Sequence, residues 1–172
     1  MLSYEENVAE VKRAVQFCHF YGILVEAELG ALQGKEEDIV NEADAKTDPG
    51  MVEDFVTATG CDLLAVSVGN VHGLELMPHV DLELLQTIAD ISPVPLVLHG
   101  GSGIPFDTIQ KARKCGLLKI NYGSDLRKEF IRTFGEAYES SGHTAHDVIS
   151  LSMKAVENVS QKAQELVTVI NA

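Results

Sequence analysis

Four apolar strand patterns alternating with amphipathic helices predict an α/β fold on a parallel sheet, because parallel neighbours need crossover helices between them. Two of the strands end in His-Gly: Leu63-Leu64-Ala65-Val66-Ser67-Val68 leads to Gly69-Asn70-Val71-His72-Gly73, and Val94-Pro95-Leu96-Val97-Leu98 leads to His99-Gly100-Gly101-Ser102-Gly103. Side chains gathered at the C-terminal ends of parallel strands are the usual geometry of a ligand site in such a sheet. No Asn-Gly hairpin and no linker composition interrupts the pattern, so residues 1–172 are expected as one domain. Four parallel strands are half of an eight-stranded barrel, which typically takes about 250 residues, against 172 here.

Each element has its own local signal. Ser3-x-x-Glu6 is a capping box, and Val8, Val11, Val15 and Cys18 recur at helical spacing until Gly22. Residues 23–29 read as a strand whose period of two puts Glu26 and Glu28 on one face. Residues 30–47 are polar, acidic and glycine-containing and are expected as a long loop. Asp48-Pro49 starts a helix that runs to Thr59 and stops at Gly60. A strand at 62–68 follows, then a loop and a helix with Leu82, Leu85, Ile88 and Ala89 on one face. The strand at 94–98 passes through the glycine turn into a helix at 105–115. Residues 117–121 form the last strand, Gly123-Ser124-Asp125 opens another helix, and a long amphipathic helix from Asp147 to Ile170 closes the chain.

Composition narrows the function classes. The chain is 45% hydrophobic, enough for a sizeable core. No apolar run approaches the roughly 20 residues of a membrane span, and the N-terminal residues lack a signal-peptide pattern. Cys18, Cys61 and Cys115 are odd in number and widely spaced, as expected of reduced thiols in a cytoplasmic protein. A net charge of −13 argues against nucleic acid, whose phosphates need clustered Lys and Arg. A small phosphorylated ligand remains compatible if its anion is met locally by a metal or by backbone N–H groups.

The two histidines carry the sharpest chemistry. Neighbouring parallel strands sit about 4.8 Å apart, so His72 and His99 can reach one ion at about 2.0–2.1 Å. Imidazole nitrogen suits zinc, and Glu28 is a candidate third ligand. Flanking glycines favour this over the reading of two ordinary polar loop residues. Gly100-Gly101-Ser102 and Gly123-Ser124 offer backbone N–H groups and a helix N-terminus to a phosphate, or else simply make tight turns with Ser124 as an N-cap. Glu26 and Lys119 are expected to pair inside the barrel as a structural layer rather than to act in catalysis. Glu36-Glu37-Asp38 is either a solvated loop or a mobile acidic loop over the site. His79, His143 and His146 are expected at the surface, and His19 as a packing residue of the first helix.

With those residues assembled, the chain resembles the class II, metal-dependent ketose-bisphosphate aldolases, including the fructose- and tagatose-bisphosphate enzymes. Five ordered segments carry the match: Val25-Glu26-Ala27-Glu28-Leu29-Gly30, Gly34-Lys35-Glu36-Glu37-Asp38, Val68-Gly69-Asn70-Val71-His72-Gly73, Leu98-His99-Gly100-Gly101-Ser102-Gly103, and Lys119-Ile120-Asn121-Tyr122-Gly123-Ser124-Asp125-Leu126. The resemblance implies the C-terminal half of a TIM (β/α)8 barrel. It implies that His72 and His99 are two of three zinc-binding histidines, that Glu28 lies at the metal, and that Glu36 is the loop acid of proton transfer. Gly73, Gly100, Gly101, Ser102, Asn121, Tyr122, Gly123 and Ser124 match positions that hold the dihydroxyacetone-phosphate half of the substrate.

The implied activity is a reversible aldol cleavage, with Zn2+ as cofactor and a monovalent cation admitted beside it. Two departures accompany the match. The sequence has no Asp-His dipeptide, the pair that supplies the family's main acid/base and remaining zinc histidine. Tyr122-Gly123 also replaces a smaller pair. The four N-terminal strands are therefore expected to be missing, with catalysis dependent on them. The expected partners are a phosphorylated sugar and either further copies of the chain or a complementary N-terminal half barrel. The alternative is a non-catalytic half barrel serving as a phosphate-binding or assembly module.

Overall fold

The computed structural model describes residues 2–30, 33–36, 39–41, 46–72 and 78–171, with 33–36, 39–41 and 72 described by backbone alone. The first helix, α1 (Tyr4–Phe20), begins at the expected capping box: the Ser3 hydroxyl accepts from the Glu6 N–H, and the Glu6 carboxylate accepts from the Ser3 N–H. Strand β1 (Glu26–Leu29) alternates as expected, with Ala27 and Leu29 buried and Glu26 and Glu28 on the opposite face.

Residues 30–47 depart from the expected loop. They contain β2 (Gln33–Glu36) and β3 (Ile39–Asn41), which pair antiparallel. β2 also pairs in parallel with β5 (Val71–His72), giving a small second sheet in the order β3-β2-β5. The segment Gln-Gly-Lys-Glu has no apolar alternation to reveal a strand; it is one through backbone pairing with residues remote in sequence.

The helix expected from Asp48 starts with a 3-10 turn at Pro49–Met51, capped by the Asp48 carboxylate, before α2 (Val52–Thr59) takes over. Strand β4 (Leu63–Val66) is followed, beyond β5, by α3 (Leu82–Ile91), where the Asp81 carboxylate accepts from the Leu84 N–H. Then come β6 (Leu96–Leu98), α4 (Phe106–Lys114) and β7 (Leu117–Ile120). The main sheet is parallel throughout, in the order β1-β4-β6-β7. Its core is formed by Leu64, Val66, Leu96, Val97 and Leu98 with Phe55, Leu85, Ile88 and Ile109. Because β6 is covered on both faces it reads as an unbroken apolar run.

The sheet is curled. Three strand spacings of about 4.8 Å put β1 and β7 roughly 14 Å apart on a flat sheet. Yet Lys119 Nζ on β7 lies 2.7 Å from Glu26 Oε2 on β1. Their face is therefore concave, and Glu26 and Lys119 pair across it as the sequence led us to expect.

The chain divides into two compact units, Met1–Asn121 and Tyr122–Ala172. The second consists of α5 (Ser124–Ser140) and α6 (Val148–Ile170), joined by a turn in which His143 adopts a positive φ of 67°. Asn158 donates to the buried Thr133 hydroxyl between these helices. Among the described residues no helix is long and apolar enough to cross a membrane. His19 corrects one expectation. It is half-exposed rather than packed, and its Nε2 lies 2.8 Å from Asp62 Oδ2, which also accepts from the Val25 N–H at the entry to β1.

Candidate active site

The apolar β6 has no polar side chain of its own, but it delivers His99 to the end of the sheet. The imidazole sits between the two carboxylates of β1, with Nε2 2.8 Å from Glu26 Oε1 and Nδ1 3.3 Å from Glu28 Oε2. Lys119 completes a cluster of two acids and two bases. The Glu28 hydrogen bond is the largest influence on His99; with help from Glu26 it outweighs burial and raises the imidazole above its ordinary pKa. For Glu26, burial opposes ionisation, but hydrogen bonds from Lys119 and His99 prevail and hold its carboxyl below the usual range.

The two histidine segments are in backbone contact. Gly100 has a φ of +64°, and a Cβ there would lie 2.0 Å from the Val71 carbonyl oxygen, so only glycine permits this approach. From the same segment, the fully buried Asn70 donates from Nδ2 to the His99 carbonyl at 2.9 Å. His72 is thereby placed beside His99 by its backbone; its side chain lies outside the described residues. β2 joins at the same place, with Gly34 in register with His72 and Glu36 ending the strand. The Glu36 side chain and Gly73 also lie outside the described residues.

The glycine turn is locked to the end of β7. The Asn121 N–H donates to the Leu98 carbonyl, and the Gly101 N–H donates to the Asn121 carbonyl at 2.9 Å. A Cβ on Gly101 would come within 2.7 Å of the Ile120 side chain. This engagement removes the Gly101 N–H from the donors that would face an anion in this state. Ser102 is buried. Tyr122, Gly123 and Ser124 belong to the second unit, where Gly123 rather than Ser124 stands at the N-cap of α5, without a side-chain cap. Burial, with Asp125 nearby, pushes the Tyr122 phenol up to about 12.

This succession of carboxylate strand, His-Gly turns and Asn121 agrees with a comparison made on sequence. The family model described as class-II fructose-bisphosphate aldolase matches residues 1–172. The chain belongs to the class II fructose-bisphosphate aldolase family. Among solved structures, the YdjI aldolase of Escherichia coli K12 is 34% identical, with a TM-score of 0.81 over 98% of this chain and 57% of that one. A Coccidioides immitis protein provisionally assigned as a fructose-1,6-biphosphate aldolase is 26% identical, with a TM-score of 0.84 over 99% of this chain and 60% of that one. The fructose-bisphosphate aldolase of Campylobacter jejuni, at 22% identity and a TM-score of 0.78, shares the fold over 98% of this chain and 57% of its own. The four parallel strands and flanking helices thus match part of the class II aldolase barrel, and the chain spans 57 to 60% of the length of these structures.

Of the family positions expected from sequence, Glu28 and His99 meet directly, and Gly100, Gly101 and Asn121 stand around them. Among the described residues, no three His, Cys, Asp or Glu side chains are arranged to hold a metal ion. Both ring nitrogens of His99 face carboxylates instead. Sequence reasoning missed Asn70 and Thr47, two buried polar residues that organise this end of the sheet. Gly69-Asn70 reads as an ordinary turn, and Thr47 lies in a polar stretch where nothing signals burial.

Proposed function

We propose that these residues form the metal- and phosphate-binding part of a ketose-bisphosphate aldolase site. The reaction is the reversible cleavage of a fructose- or tagatose-type ketose bisphosphate to dihydroxyacetone phosphate and an aldehyde. The observation that carries this reading is His99 held between Glu26 and Glu28 while its backbone abuts the Val71–His72 segment.

The donor chemistry fits zinc, since imidazole nitrogen and carboxylate oxygen are its common ligands. His72, His99 and Glu28 would hold the ion. One ring nitrogen of His99 must first lose its carboxylate contact, while the other keeps a carboxylate partner that orients the ring. Bound zinc supplies Lewis-acid polarisation of the substrate ketone. Lys119 keeps Glu26 compensated when His99 gives up its proton. Glu36, on a strand paired with that of His72, would move the substrate hydroxyl proton. Gly73, Gly100, Ser102 and Asn121 of the first unit would hold the phosphate end, and Gly101 would join them once its N–H leaves the Asn121 carbonyl.

The sequence contains no Asp-His pair, so turnover would draw its further acid/base from a complementing segment. The test is a ketose-bisphosphate cleavage assay on the chain co-expressed with an N-terminal class II aldolase segment that carries Asp-His. Triose phosphate released in the presence of Zn2+ and abolished by a chelator is the expected result. Absence of any zinc-dependent cleavage would overturn the reading.

A further inference from the structure

Three buried polar residues cross the ends of β1, β4 and β6 just behind the proposed metal ligands. Thr47, Ser67 and Asn70 are 2%, 0% and 1% exposed. The Thr47 hydroxyl donates to the Leu29 carbonyl, one residue beyond Glu28, and accepts from the Ser67 N–H at 2.9 Å. The Thr47 N–H returns to the Ser67 carbonyl at 2.8 Å. One residue on, the Val68 N–H donates to Asn70 Oδ1 at 2.8 Å, and Asn70 Nδ2 donates to the His99 carbonyl at 2.9 Å. The result is a continuous polar strut from the neighbour of Glu28 to His99 itself.

We propose that this strut sets the separation of Glu28 and His99, and that Asn70 is thereby a positioning residue for metal binding. The inference rests on the aldolase reading of the site and adds to it a residue that touches neither metal nor substrate. Burying a carboxamide is unfavourable unless its polar atoms are bonded. Asn70 meets that requirement with bonds of two kinds. Those to the Val68 N–H and, at 3.4 Å, to the Val66 carbonyl stay within its own turn. The bond to His99 instead crosses to another strand end and lands on the residue that bears the imidazole. A ligand constellation tolerates displacements of only about 0.5 Å, so the support of the His99 backbone is felt at the ion.

The test uses the whole 172-residue chain with Zn2+ itself as probe, its affinity read by competition with a chromophoric chelator and its coordination by the visible absorption of the Co2+ form. Asn70→Ala is expected to bind Zn2+ about 10- to 100-fold more weakly and to alter the Co2+ bands. Asn70→Asp keeps the shape and the Oδ1 acceptor but turns an oxygen toward the His99 carbonyl, and is expected to bind no better than Asn70→Ala. Thr133→Val, equally internal but in the second unit, is expected to leave Zn2+ affinity unchanged while lowering thermal stability.

If His99→Ala weakens binding and Asn70→Ala stays within twofold of the unsubstituted chain, the strut proposal is overturned and the metal site stands. If the unsubstituted chain binds no Zn2+, or His99→Ala binds it equally well, the metal reading fails and the strut proposal with it. Should the Asn70 variants lose their cooperative thermal transition, Thr47→Val decides by the same criteria.

Discussion

His99 is flanked by Glu26 and Glu28, and on the proposed metal reading its proton and a zinc ion would compete for the same ring. The raised imidazole pKa gives metal-free stability a definite sign with pH. That contribution is complete below the unfolded value of about 6.5 and is lost as pH rises through the higher folded value. Zinc affinity runs the opposite way, because the ligand must be deprotonated. We expect it to tighten as pH rises from about 5.5 to 8, as the ring gives up its proton. Chelator competition at several pH values checks this; a flat profile would remove His99 from the ligand set. Glu26 acts in the acid range: its depressed pKa gives stability that is present above its unfolded value and is lost as pH falls through the folded one. The pairing of Glu26 with Lys119 could be read from the sequence, because two opposite charges on the strands at the two ends of the sheet have few other partners. The role of Asn70 could not, since its partner His99 is brought to it only by the fold.

Elements were legible wherever local chemistry decides them. The capping box of α1, the apolar face of α3 that buries Leu85 and Ile88, the all-apolar β6 and the alternating β1 each follow from neighbouring residues. Asp81→Ala should cost about 1 kcal/mol in urea unfolding through loss of the α3 cap. Leu98→Ala should cost about 2–5 kcal/mol, because the side chain is fully buried in β6. β2 escaped because it is short, polar and paired with β5 far along the chain, and β3 because three residues are too few to show a period. The contact between the two histidine segments is likewise a matter of elements meeting. Gly100→Ala would drive a Cβ into the Val71 carbonyl, and we expect a loss of about 1–3 kcal/mol together with weakened Zn2+ binding. Unchanged melting and unchanged affinity would show that the two segments do not need this approach.

For the whole molecule the governing quantity is a net charge of −13, which would oppose the proposed phosphorylated substrate at long range. Attraction must be local, from the proposed zinc ion and from backbone N–H groups. Inorganic phosphate should therefore bind more tightly in the presence of Zn2+ than after chelation, as followed by calorimetric titration; equal affinity would separate the phosphate site from the metal. The curled sheet and the family match place the chain within a class II aldolase barrel, over 57 to 60% of the length of its structural relatives. The central claim is that His72 and His99 share one divalent ion. X-ray absorption spectroscopy of the zinc-loaded chain tests it most directly. Two imidazole shells at about 2.0–2.1 Å completed by oxygen ligands are predicted; a single imidazole, or sulfur at about 2.3 Å from a cysteine, would contradict it.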